Sequence, residues 1–129
     1  MGFPCGKELD ALALNADRQF KPCVSMNGAY FSLSGLQNKA EKYLSEGQSK
    51  QSTARFLFES IACALSESLK ELRRVHGNLP CLFAGGVMGS ENIKNALSRI
   101  PRVYFASGEL SGDNACGTAL LAQKRNSEA

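Results

Sequence analysis

Tryptophan is missing from this chain, histidine occurs once, at His76, and no apolar run is long enough to cross a bilayer. Each absence excludes something. With one histidine and no Cys-x-x-Cys pair among five cysteines, the chain lacks the ligands of a self-contained zinc hydrolase and the base of a Ser-His hydrolase. The serines of "FSLSGLQNK" (31–39) lie in no Gly-x-Ser-x-Gly elbow. Neither the Gly-x-Gly-x-x-Gly nor the Walker-type glycine signature occurs, so no ready-made dinucleotide or P-loop site is present. The start, "MGFPCGKELD", has no basic head and apolar core, and Gly6 stands where a myristoylation signal takes serine or threonine. Cys5, Cys23, Cys63, Cys81 and Cys116 are odd in number and widely spaced, which fits a reducing, cytoplasmic compartment.

What is present is ordinary. At 129 residues, 43% of them hydrophobic and 21% charged, the chain has material for one globular domain. A net charge of +3 permits a nucleic-acid partner without indicating one. The basic residues gather only in "KELRR" (70–74) and "AQKRN" (122–126), helix-end positions that the dipole favours.

Apolar spacing predicts a short helix over 6–16, an irregular stretch over 17–28, a strand over 29–35 and a helix over 36–47. The longest element spans 50–76, where Ala54, Leu57, Phe58, Ile61, Ala62, Leu65, Leu69, Leu72 and Val75 form one stripe. Gly77 is its expected stop. The last third reads strand (80–86), helix (90–100), strand (102–107), helix (111–125), which predicts neighbouring parallel strands covered by helices. The fold class is therefore α/β with a small, mostly parallel sheet. Three short strands are few for such a sheet, so the chain is expected to be one portion of a larger unit.

Two places could carry chemistry. In "FAGGVMGSEN", Gly85 and Gly86 end a strand and Ser90 is placed to cap the next helix, whose first N–H groups suit an anion. The turn either packs tightly or touches a ligand. In "SGELSGDNACGTALL" (107–121), Asp113 either caps the last helix or offers a carboxylate to a divalent cation.

Four segments in one order, "GFPCGKELDALA", "FSLSGLQNK", "LFAGGVMGSENIKNAL" and "SGELSGDNACGTALLA", resemble the C-terminal part of the TsaD family, once called glycoproteases. The resemblance covers nearly the whole chain. It implies part of an actin-like ATPase (ASKHA, ribonuclease H-like) lobe, with ATP or threonylcarbamoyl-adenylate held between two lobes beside a divalent metal. The implied activity is threonylcarbamoyl transfer to N6 of an adenosine in tRNA, assisted by family partner proteins. Carried over by position, Gly6, Gly85, Gly86 and Ser90 are the nucleotide-side residues and Asp113 is the metal ligand.

Departures from the pattern are Cys5 for a glycine, Lys7 for a proline, Gln37 for a lysine and Ser90 for an asparagine. A serine hydroxyl cannot offer the amide's simultaneous donor and acceptor. The family's first lobe and its metal-binding histidine pair have no counterpart here. The resemblance therefore implies a single C-terminal subdomain, residues 1–129, inactive alone, without protease apparatus and prone to homodimerise through exposed apolar surface. The alternatives are a non-catalytic scaffold of the same family, or a fragment of another ASKHA ATPase or sugar kinase.

Overall fold

The computed structural model describes residues 6–107 and 123–124. The order of elements is α1 (Gly6–Leu14), β1 (Ser25–Asn27), β2 (Tyr30–Ser32), α2 (Leu36–Ser45), α3 (Lys50–His76), β3 (Cys81–Phe83), α4 (Glu91–Leu97) and β4 (Val103–Phe105). A 3-10 turn over Gly86–Gly89 joins β3 to α4. The result is a small mixed α/β unit built around one long helix.

That helix, α3, has the limits the sequence predicts because both ends are set locally. The Ser49 side chain accepts the Ser52 N–H, satisfying a first-turn donor, and Gly77 follows the last helical residue. At 27 residues it is about 40 Å long, and α1, α2 and α4 all pack on it. On one side Phe58, Ile61 and Leu65 meet a core of Met88, Ile93 and Leu97, which Phe83, Val103 and Phe105 close from the strands. On another, Phe56 is wholly buried against Phe20 and Tyr43.

The single stripe is thus corrected in two ways. Phe56, Ser60 and Ala64 form a second buried face, while Leu72 and Val75 at the far end are exposed. Ser52 and Ser60 are buried because they are satisfied. Ser52 Oγ accepts the Arg18 N–H and donates to Asp17, and Ser60 Oγ accepts the Cys23 N–H. These bonds lay residues 17–24 along the helix.

The sheet also differs from expectation. β3 and β4 are parallel neighbours, Leu82 opposite Tyr104, as the strand–helix–strand spacing predicts. The strand expected over 29–35 does not join them. It pairs antiparallel with β1, inside the stretch expected to be irregular, with Asn27 opposite Tyr30. Gly28, at φ +60°, takes the first central position of this two-residue turn. There are two separate two-stranded sheets, only one of them parallel.

The cations of 70–74 are all engaged. Lys70 and Arg74 pair with Glu67 and Glu71, and Arg73 donates to the Pro101 carbonyl at 2.7 Å, tying the end of α3 to the approach of β4. Among the described residues, no helix is long and apolar enough to cross a membrane.

Candidate functional site

The turn after β3 lies at the carboxyl end of a parallel strand, where ligands meet α/β sheets. Gly85 has φ +113° and ψ 163°, a conformation open essentially to glycine alone. Crowding is not what demands the glycines. A Cβ added at Gly85, Gly86 or Gly89 would meet no atom within 4 Å among the described residues. Of the two readings of this turn, tight packing is therefore the one the geometry disfavours. Gly85→Ala should lower stability by about 1–3 kcal/mol through backbone strain, whereas Gly89→Ala should change it by less than about 0.5 kcal/mol, both read from urea midpoints.

Ser90 caps α4 as predicted, its hydroxyl accepting the Ile93 N–H at 3.3 Å. The N–H groups expected to stand free are not free. Asp10, from α1, reaches across and takes them. Its carboxylate accepts the Glu91 N–H at 2.9 Å, the Asn92 N–H at 3.4 Å and the Asn92 side-chain amide at 2.7 Å. Ser90 Oγ donates to it as well, and the Asn92 amide also reaches the Asp10 carbonyl at 2.9 Å. Partial burial pushes the Asp10 carboxyl up. The bonds from Asn92, Ser90 and the two backbone N–H groups outweigh it, so the net shift is down.

Gly6 opens α1, one helical turn before Asp10, and is exposed. The structure thus joins the helix that Gly6 begins to the helix that Ser90 begins, through a carboxylate that sequence reasoning missed. The available signal was slight: Asp10 shares a helical face with buried Ala13, an unusual place for an unpartnered acid. Ser34, the other hydroxyl considered, bonds only to Ser32, at 2.7 Å. Asp113, together with Gly2, Pro4, Cys5 and most of the expected last helix, lies outside the described residues; Gln123 and Lys124 of that helix are helical. Among the described residues, no three His, Cys, Asp or Glu side chains gather as a metal site.

No protein-family model matches the chain. Curated relatives do. The tRNA N6-adenosine threonylcarbamoyltransferases of two Thermus thermophilus strains are each 30% identical over 130 residues, covering 98% of this chain and 40% of theirs. The Dichelobacter nodosus protein of the same name is 29% identical over 140 residues, covering 98% of this chain and 41% of its own. The chain spans about two-fifths of the length of these relatives. Over that portion, and at the level of the family, it is similar to the TsaD-like threonylcarbamoyltransferases.

Proposed function

We propose that this chain is the nucleotide-side part of a TsaD-like tRNA N6-adenosine threonylcarbamoyltransferase, inactive alone and completed by a first lobe or by partner proteins. The observation that carries this reading is the open Gly85–Gly86 turn at the carboxyl end of parallel β3. Its backbone is held in a glycine-only conformation with nothing of the chain's described residues against it, as a turn needs if another molecule is to approach closely. The ordered sequence motifs and the similarity to the threonylcarbamoyltransferases support the same reading. In it the fold is part of an ASKHA lobe, Gly6, Gly85, Gly86 and Ser90 face ATP or threonylcarbamoyl-adenylate, and Asp113 holds a divalent cation. The partner is tRNA and the compartment cytoplasmic. A carboxylate is the right donor for a hard cation that neutralises phosphate charge.

Titration with ATP and magnesium tests the reading. Binding is expected, and Gly86→Val should weaken it at least tenfold while leaving the urea midpoint unchanged, because the added side chain enters open space. No detectable binding by the unaltered chain removes the nucleotide role.

One observation favours the second reading, a non-catalytic scaffold of the same family. Asp10 already occupies the Glu91 and Asn92 N–H groups, and Ser90 spends its hydroxyl on Asp10 and Ile93, leaving these donors unavailable to a phosphate. Retained association with a family partner, without nucleotide binding, would select it.

A further inference from the structure

We propose that the groove between α1, α3 and α4 binds a free α-amino acid with a small aliphatic side chain. The groove has a volume of about 400 Å³, within the range of small-molecule sites. Its charged groups are Arg55 and Glu59 on α3 and Arg99 on α4, and Ala13, Ala62 and Ala96 supply apolar wall. None of Gly6, Gly85, Gly86 or Ser90 lines it, so the proposal does not depend on the nucleotide reading.

Glu59 makes the groove more than a crevice. Gln19 Nε2 and Arg55 Nε both donate to its Oε1, at 2.9 and 2.8 Å. Its Oε2 is buried and has no donor. A buried carboxylate oxygen left unpaired is costly, and the donor it needs has to come from outside the fold. Arg55 meets Glu59 through Nε alone, and no described residue accepts a bond from Arg99. The wall therefore offers an acceptor needing a donor, beside guanidinium groups needing an acceptor.

An α-amino acid supplies both. Its ammonium donates to Glu59 Oε2 and its carboxylate accepts from the arginines, whose planar fork suits it. A simple anion leaves Oε2 unpaired, and a simple amine leaves the arginines without an acceptor. A nucleobase fits less well, because no aromatic ring lines the groove. The competing occupant is water bound to Oε2.

The test is calorimetric titration of the 129-residue protein with L-alanine, L-valine, acetate and methylamine. At least one of the two amino acids should bind saturably, at least tenfold tighter than either single-charge probe. Arg99→Ala, at an exposed helical position, should weaken that binding at least tenfold with the urea midpoint unchanged, and Glu59→Gln should weaken it similarly. If Glu59→Gln fails to fold, Arg99→Ala decides alone. No saturable binding of either amino acid up to about 10 mM means water only and overturns the proposal. So does equal affinity for acetate or methylamine, or binding that Arg99→Ala leaves unchanged.

Discussion

Asp10→Ala should cost about 2–4 kcal/mol of stability, read as a shift in urea midpoint at unchanged slope. The carboxylate gathers the Ser90 hydroxyl, two backbone N–H groups and the Asn92 amide. Loss of a helix cap alone costs about 1 kcal/mol. Hydrogen bonds to a charged group are worth about 1.5–3 kcal/mol each, but these share one acceptor and are partly open to water, so their sum is discounted. The larger part is what remains behind: the Glu91 and Asn92 N–H groups at the start of a short helix, with no other described side chain reaching them. Asp10→Asn should recover only part of the loss, since its amide nitrogen would face at least one of these donors.

The same carboxylate makes stability depend on acid. Its folded-state pKa lies below the ordinary aspartate value of about 3.9. The unfolded state then binds the proton more readily. The contribution is therefore whole above about pH 4 and is lost as pH falls through the folded-state pKa. Asp17 shifts the same way, through the Ser52 and Ser49 hydroxyls. Asp10→Ala should therefore flatten, without abolishing, the fall in stability between neutral pH and pH 3, and Asp17 should account for part of what remains. A slope identical to that of the unaltered chain would mean that Asp10 contributes nothing as an anion.

How far the sequence could be read followed the distance over which each feature is decided. The limits of α3 were legible because Ser49 and Gly77 act within one turn of the ends they set. The parallel pairing of β3 and β4 was legible because their crossover passes through a short helix. β1 was missed because three residues show no period, although Asn27-Gly28 was a hairpin signal in plain view. The glycine pair was visible as an unusual turn, but its sequence could not separate crowding from an open approach; the φ of Gly85 and the space around it do. The Asp10 contact joins residues 80 or more apart and leaves no periodic trace. Reading Ser90 as a probable cap was right, and what the capped helix end holds lay beyond local inference.

Phe56→Ala should be the most damaging single truncation, costing about 3–5 kcal/mol. The residue is 0% exposed and stands outside the stripe that periodicity picks out on α3. Its ring meets Tyr43 edge-on at 5.1 Å and Phe20 at 6.4 Å, while Phe20 and Tyr43 stack at 4.2 Å. Three elements therefore share one anchor: the 17–24 segment, α2 and α3. Removing the ring leaves a cavity that a long helix, held along its opposite face by Ile93 and Leu97, cannot close by shifting. Leu72, in the stripe but 44% exposed, provides the contrast, and Leu72→Ala should cost less than about 1 kcal/mol. Thermal melts of the two variants decide which face of α3 holds the fold. A larger loss at Leu72 than at Phe56 would restore the single-stripe reading. If Phe56 dominates, Arg18, whose guanidinium lies 5.2 Å from the Phe20 ring centre, and Asp17 are positioned by the aromatic anchor. Loosening Phe56 should then also weaken the acid dependence that Asp17 carries, coupling the packed face of α3 to its charged margin.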